Sequence, residues 1–226
     1  MITSTQISVY RRGLVTAARI AIAATAAVPL LLGALRLLSP EFDPAWRAVS
    51  EYANGDYSWM LSLMFACWAM GTWALAYALH PLLQTPAGKI GLCCLIAAGT
   101  GEAMAVVFDI NQPLHGVAGL LGVGGLPIAA VLVGVSLRRT APWLHGNKLL
   151  LWSTHATWIA VILMVGALLL EFFTFTHAGG QIPDDGSSLP LGTLLPHGTI
   201  ALFGYANRLL IVVYCVWAIV AAREVL

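Results

Sequence analysis

Residues 149–175 read LLLWSTHATWIAVILMVGALLLEFFTF, an apolar run in which Glu171 is the one acidic or basic residue other than histidine. About 20 consecutive apolar residues cross the hydrocarbon core of a bilayer as a helix. This run is longer than that and is interrupted by no proline. It therefore predicts a membrane-spanning helix, and a membrane-spanning helix implies a membrane fold for the chain around it.

The rest of the chain repeats this pattern. Hydrophobic residues make up 59% of the sequence and charged residues 9%, against about 25% charged residues in a soluble domain. This composition excludes a soluble fold. Counting residues 149–175, we predict one all-α integral membrane domain over residues 1–226, a bundle of six transmembrane helices at residues 20–38, 57–79, 90–108, 116–137, 149–175 and 196–222.

The charged residues predict the orientation of these helices. With six spans, both termini lie on one side of the membrane, and most basic residues lie on that side: Arg11, Arg12, Arg19, Lys89, Arg138, Arg139, Lys148 and Arg223. The acidic residues collect on the other side: Glu41, Asp43, Glu51, Asp56, Asp109, Asp184 and Asp185. The positive-inside rule makes the terminal side cytoplasmic. Because this arrangement accounts for the basic residues, and the net charge is only +1, we expect no nucleic-acid partner.

Small residues predict which spans pack closely. The fourth span is rich in glycine between residues 116 and 134, and the third carries Ala97, Gly101 and Ala105 at helical spacing. Small side chains let helix backbones approach each other in lipid. We therefore expect the third and fourth spans to be in close contact.

Three ionisable residues fall inside predicted spans, all in the outer half: Glu102, Glu171 and Arg208. Each costs roughly 2.5–3.5 kcal/mol or more in hydrocarbon unless it is paired or hydrated. One arginine facing two glutamates predicts a buried ionic cluster. Such a cluster fits three roles: a structural ion pair, a path for protons or a solute, or an anchor for a bound molecule.

A second group of polar residues lies at the outer helix ends. In the predicted spans, Asp109 shares a helix face with Glu102, and His197 shares one with Arg208. Asp109, His115 and His197, with Glu51 nearby, would offer the nitrogen and oxygen ligands that suit zinc, and zinc with an open position activates water. The sequence has no His-x-x-x-His or Cys-x-x-Cys spacing, so this zinc site depends on topology alone and no cofactor is firmly predicted.

Three segments together resemble a known family: SEYA at residues 50–53, FDINQPLHG at residues 108–116, and GYANRLL at residues 204–210, followed by Trp217. They are similar to the bacterial six-helix membrane family called domain of unknown function number 998. The resemblance implies six helices and a bacterial cytoplasmic membrane, and it draws attention to Ser50, Asp109, His115 and Arg208. Family members commonly have glutamine where this chain has Asn207. The family implies no settled activity.

Three functions remain open at this point. The preferred one is a binding or accessory membrane protein that holds a lipid or hydrophobic molecule, or associates with a larger membrane complex or with copies of itself. Its ligand would contact Ser50, Glu51, Glu102, Glu171 and Arg208. The second is a metal-dependent hydrolase acting on a lipid-like substrate, with Asp109, His115 and His197 as its catalytic residues. The third is a proton-coupled transporter that uses Glu102, Glu171 and Arg208. Membrane lipids are partners in every case.

Overall fold

The computed structural model describes residues 4–140, 148–181, 183 and 189–226. Its α-helices are α1 (Ser4–Leu38), α2 (Ser58–Leu79), α3 (Pro86–Val107), α4 (His115–Gly119), α5 (Gly125–Thr140), α6 (Lys148–His177) and α7 (Phe203–Arg223). A π-helical turn, Leu120–Gly124, joins α4 to α5 without a break, and 3-10 helices occupy Val49–Asn54 and His80–Leu82. Within the described residues, six helical segments are long and apolar enough to span a membrane. The predicted six-span all-α fold is confirmed.

Two predicted span boundaries differ from the observed helices by more than four residues. Helix α1 begins at Ser4 rather than at residue 20, because a helix continues past the end of an apolar run wherever its backbone hydrogen bonds continue. Helix α7 begins at Phe203 rather than at residue 196. Gly198, with a φ of +97°, adopts a left-handed conformation that a right-handed helix does not contain.

These boundaries overturn two predicted pairings on helix faces. His197 precedes α7, so it shares no helix face with Arg208. Asp109 follows the end of α3 at Val107, so it shares none with Glu102. The physical reason is the same in both cases. Helical periodicity relates two residues only when the helix is continuous between them.

The spans pack in chain order around a closed bundle. Helix α1 contacts α2, α2 contacts α3, α3 contacts α5, α5 contacts α6, α6 contacts α7, and α7 returns to α1 and α2. Fully buried Tyr214 and Trp217 of α7 pack in the core with Met64 and Leu75 of α2. Helix α7 is therefore the element that closes the bundle.

The expected close contact between the third and fourth spans is present. A Cβ atom on Gly101 of α3 would lie 2.6 Å from the Ala118 carbonyl oxygen and 2.6 Å from the Gly122 nitrogen. Further along, a Cβ atom on Gly91 would lie 2.9 Å from Leu132 Cβ. Only glycine permits such close approach of two helices at these positions.

The connections between spans meet at the two ends of the bundle. We call the end that carries residues 39–57, 108–114, 178–181 and 189–202 the distal end, and the opposite one the terminal end. At the distal end, the Asn111 side-chain amide donates to Asn54 Oδ1 over 2.9 Å, and the Gly204 N–H donates to the Ala45 carbonyl over 2.9 Å. The distal connections thus form one bonded layer above the spans.

Candidate functional site

A cavity of about 220 Å³ lies inside the bundle beneath the distal 3-10 helix. Its walls come from α2, α3, α4, the π-helical turn, α6 and α7, and its roof comes from Ala48, Val49 and Ser50. Apolar side chains form most of the wall: Phe65, Trp68, Val123, Met164, Leu168, Phe203, Leu210 and Ile211. The cavity is thus a largely apolar space at the depth of the spans.

Small residues leave this space open. Gly101 and Ala105 of α3 and Ala118 and Gly119 of α4 line the cavity, as does Gly122 of the π-helical turn. A Cβ atom on Gly119 would meet no atom within 4 Å. Because these residues lack bulky side chains, the backbones of α3 and α4 come into close contact at Gly101, and the cavity next to this contact stays unfilled by side chains.

The carboxyl group of Glu102 belongs to this cavity and has no hydrogen-bonded partner. Glu102 is 4% exposed, and neither carboxylate oxygen has a hydrogen-bond partner among the described residues. The hydroxyl of Thr72 lies close enough to interact with this carboxyl, but the two groups do not meet the geometry of a hydrogen bond. Buried polar groups in folded proteins are nearly always hydrogen-bonded, so an unpaired buried carboxyl requires an explanation.

His115 lines the same cavity with a fixed ring orientation. Its Nδ1 atom lies 2.9 Å from the Phe108 carbonyl oxygen. A carbonyl oxygen only accepts hydrogen bonds, so we assign the proton to Nδ1, and in the neutral ring Nε2 is then an acceptor. His115 therefore adds a hydrogen-bond acceptor to the same cavity wall that contains Glu102.

Asn207 and Ser50 complete the polar part of the wall. Asn207 Oδ1 accepts a hydrogen bond from the Val49 N–H over 2.9 Å, which ties the cavity roof to α7. Its Nδ2 atom is 3.6 Å from the Met164 sulfur, a weak acceptor. The predicted ligand-binding residue Ser50 lines the cavity as well.

Aromatic rings occupy one side of the cavity. Phe65 and Trp68 are stacked, with ring centroids 6.4 Å apart and planes inclined by 2°. Tyr214 meets Trp68 edge-on, and its hydroxyl donates to the Val123 carbonyl of the π-helical turn over 2.7 Å. A π-helical turn shifts the backbone hydrogen bonds of a helix by one residue. Such turns are frequent at functional sites.

A different buried charge, Arg47, lies at the distal end and is fully bonded. Arg47 is 2% exposed, and its guanidinium donates to Glu51 Oε2 over 2.6 Å and to the carbonyls of Leu189 and Pro190. Its guanidinium carbon lies 3.9 Å from the centre of the Trp46 ring. Arg47 was not among the predicted site residues, although the four-residue spacing between Arg47 and Glu51 was an available signal.

Glu51 accordingly serves the distal layer. One carboxylate oxygen binds Arg47, and the other accepts a hydrogen bond from the Ala48 N–H over 2.8 Å. This bond caps the 3-10 helix Val49–Asn54. Glu51 is thus paired twice, and it does not line the cavity that holds Glu102.

Arg208 also serves the distal layer. Its NH1 atom donates to the carbonyls of Arg47 over 2.8 Å and Gly204 over 2.9 Å, and its NH2 atom donates to the Tyr52 hydroxyl over 3.2 Å. The first connection approaches α7 closely here, since a Cβ atom on Gly204 would lie 2.5 Å from the Pro44 carbonyl oxygen. Arg208 holds this contact together.

Glu171 is bonded to the backbone at the start of α7 rather than to an arginine. Its Oε2 atom accepts hydrogen bonds from the N–H groups of Leu202 and Phe203, each over 3.2 Å, at the start of α7. The described residues contain no ion pair between Arg208 and either Glu102 or Glu171. The predicted ionic cluster is not formed, because backbone carbonyls and N–H groups reach Arg208 and Glu171 first.

Glu51 and Glu171 both line a second cavity, which also has a volume of about 220 Å³. Trp46, Leu189 and Leu195 contribute to its wall. Leu168 and Phe203 contribute to the walls of both cavities. The two spaces are therefore neighbours, the second lying closer to the distal connections.

The residues proposed for zinc are separated in the structure. Asp109 accepts a hydrogen bond from the Asn111 N–H over 2.9 Å in a turn, His197 is exposed, and of the three only His115 lines the cavity. In the parts of the chain that the structure describes, no three His, Cys, Asp or Glu side chains form a group suited to a metal ion. Asp184 and Asp185 lie outside those parts. The zinc site remains a prediction without geometric support.

These features define a multi-pass helical membrane protein with an internal cavity. The family model described as "Protein of unknown function (DUF998)" matches residues 20–224, and the chain therefore belongs to this family. The resemblance noted in the sequence is thereby confirmed. No curated protein and no solved structure matches the chain.

Proposed function

We propose that this protein binds a small amphiphilic molecule in the cavity beneath the distal 3-10 helix. The observation that supports this most directly is the Glu102 carboxyl, which is buried in a largely apolar wall and has no hydrogen-bond partner in the described part of the chain. A buried polar group without a partner costs about 1–3 kcal/mol, and a charged one costs more. A ligand that brings a hydrogen-bond donor removes this cost, so the ligand is bound more tightly.

The size of the cavity suits such a ligand. An apolar cavity of about 150 Å³ is large enough to bind benzene. The cavity here, at about 220 Å³, is larger and combines an apolar wall with a few polar groups. This combination is typical of sites for small molecules. Because membrane spans form most of the cavity wall, a partly apolar molecule dissolved in the bilayer is the natural occupant.

The experiment uses two glycines of α4 as a matched pair. A Cβ atom on Gly119 or on Gly116 would meet no atom within 4 Å, but only Gly119 lines the cavity. We expect Gly119→Leu to fill the cavity and Gly116→Leu to leave it open. The protein is extracted gently from its membrane, and native mass spectrometry measures the bound small molecules.

A small molecule that remains on the wild type and on Gly116→Leu, and is lost from Gly119→Leu, is the expected result. Equal retention by both variants would show that the bound molecule lies outside the cavity. A second polypeptide bound in fixed ratio would instead favour an accessory subunit of a larger membrane complex. The same spectra therefore separate the two forms of the binding function.

We further infer that the protein lies in a bacterial cytoplasmic membrane with both termini in the cytoplasm. The excess of Lys and Arg at the terminal end and the bacterial family resemblance support this orientation. After replacement of the native cysteines, single cysteines at exposed Asp56 and Arg223 report the orientation in intact cells. An impermeant thiol reagent is expected to label the first and not the second, and the reverse pattern would contradict the inference.

A further inference from the structure

We propose that the molecule held in this cavity carries an alkylammonium group, which contacts the Glu102 carboxylate and the aromatic side of the wall. This inference rests on the proposed binding function and specifies the chemical class of the ligand. The apolar part of the molecule would lie among Met164, Leu168, Leu210 and Ile211, which line the same space.

The charge of the cavity favours a cation. Glu102 brings an acidic side chain that a cationic ligand would hold in its ionised form, and no lysine or arginine is among the described residues that line the cavity. Arg47 donates to Glu51 and two carbonyls, and half-buried Arg208 donates to carbonyls and Tyr52 through its terminal nitrogens while its Nε stays unbonded among the described residues. Neither arginine lines the cavity. An ionised carboxylate without a counter-charge is costly in hydrocarbon. A ligand cation supplies the missing charge.

The hydrogen-bonding groups of the wall favour donors on the ligand. Both oxygens of Glu102 are unpaired acceptors, and Nε2 of the neutral His115 ring is a third acceptor. An ammonium group has three N–H donors, whereas a hydroxyl has one. Hydrogen bonds between ionised partners are also roughly twice as strong as those between neutral groups. An ammonium group therefore matches this wall better than an alcohol does.

The aromatic rings favour the same class of ligand. Phe65, Trp68 and Phe203 line the cavity, and Phe65 and Trp68 present parallel rings. A cation near the face of an aromatic ring is attracted by the negative charge density of that face, most strongly for tryptophan. A carboxylate combined with aromatic rings is a wall suited to a desolvated ammonium group. An anionic head group would instead be repelled by Glu102.

The test compares octylamine, octanol and octanoate, which share one apolar chain and differ in the polar group. Binding of each is measured by calorimetry on the full-length protein in an uncharged detergent. We expect octylamine to bind about tenfold or more tightly than octanol, which corresponds to about 1.4 kcal/mol, and octanoate to bind most weakly.

The decisive variant is Glu102→Gln, which retains the shape of the side chain and removes its charge. We expect it to abolish the preference for octylamine over octanol, while Glu41→Gln, at an exposed position, preserves it. Partition of the three probes into the detergent is the same for every variant, so a difference between variants reports the protein site. Glu102→Gln removes no hydrogen bond that the structure contains, and we expect it to fold.

Each outcome bears on one of the two proposals. If octanol or octanoate binds wild type as tightly as octylamine, or if Glu102→Gln retains the preference, the ammonium inference is wrong while the binding function stands. If none of the three probes loses affinity on Gly119→Leu relative to Gly116→Leu, binding in the cavity itself is refuted. The two failures are therefore distinguishable.

Discussion

Arg47 and Glu102 are both buried ionisable residues near the distal end, and their surroundings are opposite. The Arg47 guanidinium meets Glu51 and two backbone carbonyls, whereas the Glu102 carboxylate meets no hydrogen-bond donor in suitable geometry. The bonds of Arg47 join the segment between α1 and α2 to the segment between α6 and α7. Glu102 instead borders a largely apolar cavity. The difference shows that burial of an ionisable residue does not indicate a role by itself, and that the partners of the residue must be known as well.

The largest effect on stability is expected from replacing Arg47, the buried charge that has an ionic partner. Replacing Arg47 by Met leaves Glu51 buried without its partner and removes the donors for the Leu189 and Pro190 carbonyls. Removal of one partner of a buried pair costs about 3–5 kcal/mol. We expect the free energy of unfolding, measured by titration with a denaturing detergent, to fall by about this amount.

Two further variants control this measurement. Arg12→Met changes an exposed arginine, and we expect little effect on unfolding. The double variant Arg47→Met with Glu51→Met removes both charges, so we expect it to be more stable than Arg47→Met alone. A double variant less stable than the single one would contradict the role of the pair.

For Glu102, we expect substitution to change the free energy of unfolding in the opposite direction. Glu102→Met removes a carboxyl that has no hydrogen-bond partner, and a buried group of this kind costs about 1–3 kcal/mol. We expect the free energy of unfolding of the ligand-free protein to rise by about that amount. Glu51→Met, the same substitution at the paired carboxylate, is expected to lower it. If both variants are destabilised, Glu102 has a partner within the protein and the comparison fails.

Substitutions at the glycines that border the cavity are expected to change stability by less than Arg47→Met does. Gly101→Ala would bring a Cβ atom to 2.6 Å from the Ala118 carbonyl oxygen, whereas Gly119→Ala would meet nothing within 4 Å. Overpacking of this kind costs about 1–3 kcal/mol. We expect Gly101→Ala to lower the unfolding temperature and Gly119→Ala to leave it unchanged or raise it. Equal shifts would show that α3 and α4 separate readily.

The smallest effect is expected for the cap of α7. Glu171→Ala removes the acceptor for the N–H groups of Leu202 and Phe203, and loss of a helix cap costs about 1 kcal/mol. Glu171→Gln retains an oxygen acceptor and should be closer to wild type. Unfolding of both variants, compared with Glu41→Ala at an exposed position, provides the measurement. An unchanged Glu171→Ala would mean that water replaces the carboxylate.

The sequence predicted part of the site and missed the rest for identifiable reasons. Glu102, His115 and Ser50 were singled out, and all three line the cavity. Arg208 was singled out as well, but its partners are carbonyls of the first connection, which no helical periodicity relates to α7. Arg47 was passed over because it lies outside the apolar runs, although it is almost fully buried. Loop residues are buried by other loops, and hydropathy does not report that.

The sequence by itself determined the six spans, because the cost of placing a segment in hydrocarbon is a sum over its own residues. It also determined that spans three and four approach closely, because glycine and alanine set how near two helix backbones come. Only the tertiary structure decided which buried charges are paired. The carbonyls that bind Arg47 lie 142 and 143 residues away along the chain, and the cavity that Glu102 lines is formed by residues of five α-helices together. Hydrogen-bond satisfaction depends on distances between segments, which local sequence does not contain.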